Sequence, residues 1–316
     1  MRKDLGEAAA CKIYGEKLVE LGERDERIVL LDADLMRSNG TEAFRRRFPD
    51  RSFNMGIAEQ NLMAVSAGLA LNGKIPFVST FASFGSMRAF EQVRTDIAYH
   101  NLKVRIVTTH CGLTGNSGST HAGVEDLALM RTVPNMTVVA PGDPTQIRRV
   151  LEASVDLDGP LYMRIGAKTE PLVYESQDYP FTLGKGIVLR EGNDAVIIAC
   201  GAMLARALDA AELLAGENIR VGVIDMHTVK PIDAELILRA ASSSALVVTA
   251  EDHFRCGGLG GAVAEVLSEH GISTPLLRIG VPDVFVPNGS AQQLYGKFGM
   301  DADGIARAVR ERLNAL

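Results

Sequence analysis

Short apolar runs rich in β-branched residues alternate with longer helical stretches along the first half of the chain. Strands are predicted at residues 28–31, 77–79, 104–108, 136–140 and 161–164. Helices are predicted between them at residues 5–21, 58–71, 86–99 and 144–154. This alternation is typical of parallel α/β sheets, because the helix after each strand returns the chain to the start of the next.

A polar, proline-containing segment at residues 170–186 interrupts the alternation, and a second α/β pattern follows it. Its predicted strands lie at residues 195–199, 220–225, 245–250 and 276–279. We therefore expect an α/β fold of two consecutive domains with mainly parallel sheets flanked by helices. The predicted domains are residues 1–172 and 187–316, joined by a linker at 173–186, and each is long enough to bury its own core.

The helix predicted from residue 58 carries apolar residues on every side, a pattern typical of a buried helix. Its first turn contains Glu59, and a buried carboxylate without a partner is costly. Glu59 is therefore a candidate functional group. The alternative is that it caps its own helix and interacts with the helix dipole, a contribution below about 1 kcal/mol. Both interpretations stay open at this point.

Two segments that follow predicted strands contain further candidates. Phe81 and Phe84 lie just beyond the strand at 77–79, where open α/β sheets bind ligands, although core packing would explain a phenylalanine pair as well. A loop rich in Gly, Ser and Thr follows the strand at 104–108 and has His110 and His121 at its ends. Loops in this place carry catalytic residues because the sheet positions them.

These segments, taken together, resemble the transketolase family, specifically its middle and C-terminal domains. Agreement in order and spacing covers residues 32–38, 56–61, 80–84, 109–123 and 163–164, and it continues through 257–260 and 299–304. The family's diphosphate-binding domain starts a motif with Gly-Asp-Gly, which this sequence lacks. The resemblance therefore implies the C-terminal half of a split, two-subunit transketolase.

The resemblance implies thiamine diphosphate as a cofactor shared with the partner subunit, which also binds Mg²⁺, and no metal site in this chain. The predicted cofactor-binding residues are Asp34, Ile57, Glu59, Phe81, Phe84 and Met87. Glu59 matches the catalytic glutamate that hydrogen-bonds N1′ of the pyrimidine ring, and the phenylalanines match the aromatics that pack on the ring. Met87 stands where a tyrosine is common, which makes that wall less polar.

The same resemblance implies a sugar-phosphate site. The predicted substrate-binding residues are Ser38, His110, Ser117, His121 and Arg164. Ser38, His110 and Arg164 match groups that hold the phosphate, for which a planar guanidinium is well suited. His121 matches a histidine near the reacting carbons and is the second catalytic candidate. Ser117 replaces the aspartate that usually contacts the donor, a departure that argues against ordinary xylulose-5-phosphate specificity.

The implied function is transfer of a two-carbon ketol unit from a phosphorylated ketose to an aldose, catalysed only in the presence of a diphosphate-binding partner subunit. The implied assembly is an α2β2 heterotetramer, with the second domain serving assembly alone. Two enzymatic alternatives are a 1-deoxyxylulose-5-phosphate synthase-like enzyme and the β subunit of a 2-oxo-acid dehydrogenase. A non-catalytic scaffold subunit is a third alternative.

Composition argues against several other classes of protein. The net charge of −6 argues against a nucleic-acid surface, which needs clustered basic residues. The longest apolar run, about residues 195–204, is half of what a membrane span needs, and no signal-peptide pattern follows the N-terminus. The four cysteines form no CxxC pair. We therefore expect a cytoplasmic protein that binds neither nucleic acid nor membrane.

Overall fold

The computed structural model describes residues 4–113, 118–167, 169–176 and 178–316. The strands are β1 (Glu7–Ala9), β2 (Ile28–Asp32), β3 (Ser52–Asn54), β4 (Ile75–Phe81), β5 (Arg105–Thr109), β6 (Thr137–Val139), β7 (Leu161–Arg164), β8 (Thr169–Pro171), β9 (Ile187–Arg190), β10 (Ala195–Ala199), β11 (Val221–Asp225), β12 (Thr228–Lys230), β13 (Val247–Phe254) and β14 (Leu276–Val281). The helices are α1 (Ala10–Arg24), α2 (Met36–Asn39), α3 (Glu42–Arg47), α4 (Glu59–Leu71), α5 (Phe90–Gln92), α6 (Asp126–Thr132), α7 (Pro144–Asp156), α8 (Met203–Ala215), α9 (Ala234–Ser243), α10 (Leu259–Glu269), α11 (Ala291–Phe298) and α12 (Ala302–Asn314). A 3-10 turn (Pro49–Arg51) and two π-helical segments (Phe84–Arg88 and Val93–Ala98) complete the elements.

The first sheet has the strand order β12-β6-β7-β5-β4-β2-β3. All its pairs are parallel except the one between β12 and β6. The second sheet has the order β14-β13-β10-β11-β9, and only β9 runs antiparallel to its neighbour. The predicted fold class, an α/β fold with mainly parallel sheets, is confirmed.

The structure differs from the predicted elements in several places, of which three matter here. Helix α1 begins at Ala10, because the residues before it form β1 and pair with β8 from the polar segment after the first domain. The helix predicted at 86–99 is a short α5 between two π-helical segments. Strand β12, which was not predicted, comes from the second half of the chain and joins the edge of the first sheet.

The two halves of the chain share one apolar core. A single cluster of buried side chains includes Leu31 and Leu62 from the first half together with Ile198 and Leu259 from the second. Burial of apolar surface therefore holds the two sheets against each other. Among the described residues, no helix combines the length and the apolar character that crossing a membrane would need.

Candidate functional site

The predicted site residues collect at the carboxyl edge of the first sheet. Strands β7, β5, β4 and β2 are neighbours there in that order. Phe81 ends β4, His110 follows β5, and Arg164 ends β7. The segment after β2 carries Asp34 and Ser38. Parallel strands present their carboxyl ends at one edge of the sheet, so residues far apart in sequence meet there.

Four of the predicted residues form one aromatic cluster. The ring of His110 stacks on that of Phe81, with 3.8 Å between ring centroids. The Phe84 ring lies 5.9 Å from Phe81. His121 meets the edges of both phenylalanines, at 6.2 Å from Phe81 and 5.2 Å from Phe84. Both histidines at the ends of the loop therefore contact Phe81, and His121 also contacts Phe84.

Glu59 lies beside this cluster and is paired with an arginine that the sequence interpretation missed. Its side chain is 1% exposed, and Arg88 Nη1 donates to Glu59 Oε2 at 2.9 Å. The Arg88 guanidinium also lies 4.4 Å from the centre of the Phe84 ring. Ala58 is the N-cap of α4 and no side-chain capping bond is made there, whereas Glu59 is the acidic residue of the first turn, so the interaction with the helix dipole stays an alternative.

The spacing from Phe84 to Arg88 was a signal that could have identified this arginine. Residues four apart lie on one side of a helix, so a phenylalanine followed by an arginine at that spacing predicts a cation–π contact. The segment Phe84–Arg88 is π-helical, and π-helical turns are frequent at functional sites. Arg88 supplies the positive charge that a buried Glu59 carboxylate requires.

The prediction that the helix after residue 58 is buried on every side is wrong for this chain alone. Buried positions of α4 include Glu59, Leu62 and Met63, but Ala64 and Leu71 are exposed. Ile57, just before the helix, is 77% exposed. Gln60 and Asn61 are exposed as well, and exposed apolar residues beside a candidate site are typical of a surface that another chain covers.

A chain of hydrogen bonds ends at His110. Asn39 Nδ2 donates to Asp32 Oδ2 at 2.9 Å, and Thr109 Oγ1 donates to Asn39 Oδ1 at 2.8 Å. Thr109 Oγ1 is also 2.8 Å from His110 Nδ1. Because the hydroxyl proton already points to Asn39, the threonine oxygen accepts from the imidazole, which therefore carries a proton on Nδ1. Burial raises the pKa of the Asp32 carboxyl to about 6.

The backbone at His110 also marks this position. Its φ of 58° lies in the left-handed region, which costs a non-glycine residue of order 1 kcal/mol and persists where the surroundings determine it. Asp34 has the same feature at φ 65°, and its Oδ1 accepts from Asn54 Nδ2 at 2.8 Å. Two such residues at one edge of a sheet are typical of a functional site.

The structure gives less support to the other predicted site residues. Asp34, Ser38 and Met87 are exposed at the same edge of the sheet. Their assignment to the cofactor or the substrate stays a prediction, as does that of Ile57. Ser117 lies outside the described residues. In the part of the chain that the structure describes, no group of three or more His, Cys, Asp or Glu side chains could hold a metal ion.

Arg164 has a different environment from the other predicted substrate residues. Its side chain is 4% exposed, and its Nε lies 3.1 Å from Asp126 Oδ2 as an ion pair without hydrogen-bond geometry. Its Nη2 donates to the carbonyl oxygens of Gly123 and Asp252. The adjacent cavity has a volume of about 20 Å³, room for about one water. Its phosphate-binding role stays a prediction.

The arrangement supplies one side of a site. A buried carboxylate, two aromatic faces and two imidazoles lie at the carboxyl edge of a parallel sheet, beside an uncovered apolar helix face. Such a chain can bind a flat heteroaromatic ring and exchange protons with it through Glu59. The fold and this cluster together define an α/β chain with a candidate binding site at the carboxyl edge of its first sheet.

The family follows from direct comparison. Residues 7–169 match the family described as "Transketolase, pyrimidine binding domain", and residues 184–305 match "Transketolase, C-terminal domain". The chain belongs to the transketolase family, as its sequence motifs predict.

The individual relatives are matched almost end to end. A putative transketolase C-terminal section from Methanocaldococcus jannaschii is 44% identical over 96% of this chain and 95% of its own length. A 6-deoxy-6-sulfo-D-fructose transketolase subunit from Clostridium sp. (strain MSTE9) is 44% identical over 94% of this chain and 92% of its own. A solved structure described as "Split gene transketolase, inactive beta4 tetramer" superposes with a TM-score of 0.90 at 48% identity, covering 97% of this chain and 98% of that one.

Proposed function

We propose that this chain is one subunit of a thiamine diphosphate-dependent transketolase that moves a two-carbon ketol unit from a phosphorylated ketose to an aldose. The observation that carries the proposal is the contact of Glu59, through Arg88, with the cluster of Phe81, Phe84 and His121. Catalysis requires a partner subunit that holds the diphosphate and Mg²⁺, in an α2β2 heterotetramer.

The described residues fit the pyrimidine half of this cofactor. A ring nitrogen that carries a proton needs a carboxylate out of water, and Glu59 is buried at the start of α4 with a matching cation. Phe81 and Phe84 offer the aromatic faces on which a pyrimidine packs. When bound, the cofactor supplies the nucleophilic carbon and the electron sink of ketol transfer. Glu59 holds the proton at N1′.

The two histidines fit the sugar. Nδ1 of His110 donates to Thr109, and His110 and Ser38 are proposed to hold the phosphate end of the donor. His121 lies against both phenylalanines and is proposed to contact the donor hydroxyls beside the reacting carbons. Ser117 and Arg164 are proposed as the remaining donor contacts.

The uncovered face of α4 supports the need for a partner. It begins at Ile57, two residues from Glu59, so a chain that covers it also closes the region around the carboxylate. The relatives that this chain spans almost end to end are described as a section and a subunit of transketolases. The solved structure at 48% identity is described as an inactive tetramer of β chains.

The first test is cofactor binding. Calorimetric titration of thiamine diphosphate with Mg²⁺ is run on this chain alone, on a diphosphate-binding subunit of the Gly-Asp-Gly type alone, and on the mixture. We expect tight, Mg²⁺-dependent binding to the mixture only, and donor turnover with ketose phosphates only there. Tight binding to the isolated chain would falsify the shared site. Turnover of pyruvate in place of a ketose phosphate would support the synthase or dehydrogenase alternative.

The second test is Glu59→Gln. The amide keeps the shape of the side chain but cannot carry the proton at N1′, so turnover of the mixture should fall about 10²–10⁴-fold. The matched control is Glu125→Gln. Glu125 is half-buried and lies four residues after His121, and this variant should retain turnover. Gel filtration should show the same assembly for both variants. Near-normal turnover of Glu59→Gln at saturating cofactor would remove Glu59 from the catalytic site.

A further inference from the structure

The second domain holds the segment that follows His110. The backbone N–H of Leu113 donates to both carboxylate oxygens of Asp252, each at 3.1 Å. Tyr295 OH donates to the same carboxylate at 2.7 Å. Asp252 lies on β13 and Tyr295 on α11, so both holding groups come from the second domain. All three side chains and the Leu113 amide are buried.

The second domain also holds the segment that precedes His121. Ser119 Oγ donates to the carbonyl oxygen of Val286 at 2.6 Å. Gly118 has φ 71°, and a Cβ atom there would overlap the amide of Asn288. The residues 286–288 lie between β14 and α11. The chain therefore contacts the second domain again two to three residues before the second histidine.

Backbone hydrogen bonds join these two contacts to each other. The N–H of Gly112 donates to the carbonyl of Gly123 at 2.7 Å, and the N–H groups of His121 and Ala122 donate to the carbonyl of Gly118 at 3.1 Å each. Gly112 has φ 63°, and a Cβ atom there would overlap the Asp252 carboxylate. Only glycine allows this approach.

We propose that Asp252, Tyr295 and the Val286 carbonyl are positioning groups that set where His110 and His121 lie over Phe81 and Phe84. The second domain thus serves substrate binding as well as assembly. The effect on donor binding rests on the proposed function, whereas the positioning of the two histidines is a property of this chain alone.

The test of positioning uses Tyr295→Phe with Tyr174→Phe as its matched control. Each change removes one buried tyrosine hydroxyl that donates to an aspartate of the second domain, Asp252 in the first case and Asp225 in the second. Hydrogen exchange is measured by mass spectrometry on the folded chain. In Tyr295→Phe, the amides of Gly112, Leu113, His121 and Ala122 should exchange about 5–10-fold faster, the effect of one hydrogen bond. In Tyr174→Phe they should keep the wild-type rate.

Ser119→Ala is the second variant, because its hydroxyl is near the surface and its loss leaves the core unchanged. It should accelerate exchange at His121 and Ala122 but leave Leu113 protected. With the partner subunit, Tyr295→Phe and Ser119→Ala should raise KM for the donor several-fold with a smaller change in kcat, while Tyr174→Phe should match wild type.

The outcomes separate the two proposals. Equal exchange at these amides in Tyr295→Phe and Tyr174→Phe overturns the positioning role. Faster exchange in Tyr295→Phe and Ser119→Ala, in a wild-type assembly that turns over no ketose phosphate, leaves the positioning intact and rejects the proposed function. Faster exchange accompanied by unchanged donor KM overturns the link from the second domain to substrate binding.

Discussion

The candidate site and the junction between the two domains differ in how far their polar side chains are buried. At the site, the partner of buried Glu59 is Arg88, which is 48% exposed, and His110 and His121 are half-buried beside the phenylalanines. At the junction, Arg164 and Asp126 are buried together. The polar side chains of the site are therefore partly accessible to solvent, whereas those of the junction are buried.

Two adjacent residues of β5 show where the division lies. Thr108 Oγ1 donates to Tyr162 OH, which in turn donates to Asp126 at the junction. Thr109 Oγ1 belongs to the hydrogen-bond chain that ends at His110. Successive side chains of a strand point to opposite faces. The same strand therefore supports a stability network on one face and the candidate site on the other.

The largest effect is expected from Arg164→Ala at the junction. If Arg164 belongs to the junction, its loss leaves Asp126 buried and unpaired, at a cost of about 3–5 kcal/mol in the free energy of unfolding. Chemical denaturation measures this. Arg239→Ala, which removes an exposed pair with Glu235, is the control and should cost less than about 1 kcal/mol.

The opposite result would support the proposed contact of Arg164 with the donor over a structural role at the junction. A loss of stability no larger than that of Arg239→Ala, together with a KM raised for phosphorylated donors only, would place the guanidinium at the sugar phosphate, as the sequence motif predicts. The conformation of Arg164 in the assembled enzyme would then differ from the one described above.

A smaller effect is expected from the pH dependence of the junction. Gln146 and Tyr174 both donate to Asp225, which is fully buried. Burial raises the pKa of the Asp225 carboxyl from 3.8 to about 7, so the folded chain binds this proton more tightly than the unfolded chain. The contribution of Asp225 to stability is therefore complete below about pH 4 and is lost as the pH rises to about 7.

Asp225→Asn removes this titration. Relative to wild type, the variant should gain on the order of 4 kcal/mol in unfolding free energy between about pH 4 and pH 8. Urea denaturation across that range measures the difference. The exposed control Asp50→Asn should run parallel to wild type throughout. A constant offset for Asp225→Asn would show that this carboxyl does not titrate in that window.

The smallest effect is expected from substitutions that test whether the two faces of β5 act independently. Thr109→Val keeps the shape of the side chain but removes the acceptor of His110 Nδ1, so the imidazole should populate the other tautomer, visible in its ¹⁵N chemical shifts. Donor kcat/KM in the mixture should fall about 5–10-fold. Thr108→Val is the matched control. It should lower the free energy of unfolding about as much as Thr109→Val does, and it should leave the ¹⁵N shifts of His110 unchanged. Altered shifts in both variants would mean that the two faces are coupled.

The parts that the sequence predicted are those with local periodicity or a motif of fixed order. The parallel strands follow from short β-branched runs, and their carboxyl ends brought Glu59, Phe81 and Phe84 to one edge of the sheet. Arg88 was missed because the helix predicted from the sequence begins at residue 86, which leaves Phe84 outside it and hides the four-residue spacing between the two side chains.

Long-range contacts explain the other omissions. Asn39 reaches Thr109 across 70 residues of sequence, and Asp252 reaches Leu113 across 139. No local pattern encodes such a contact, because the two partners meet only after the sheets have packed. The uncovered face of α4 was missed for a related reason: an apolar pattern predicts that a helix face is covered, but not by which chain.

Strand β12 has a consequence for dividing this protein into pieces. Its residues Thr228–Lys230 belong to the second half by sequence, yet they pair with β6 at the edge of the first sheet. A fragment cut in the segment between the halves would expose the edge of β6, and free sheet edges recruit other chains and aggregate. A domain exchange within this family should therefore keep residues 228–230 together with the first domain. The alternative is to exchange both halves of the chain together.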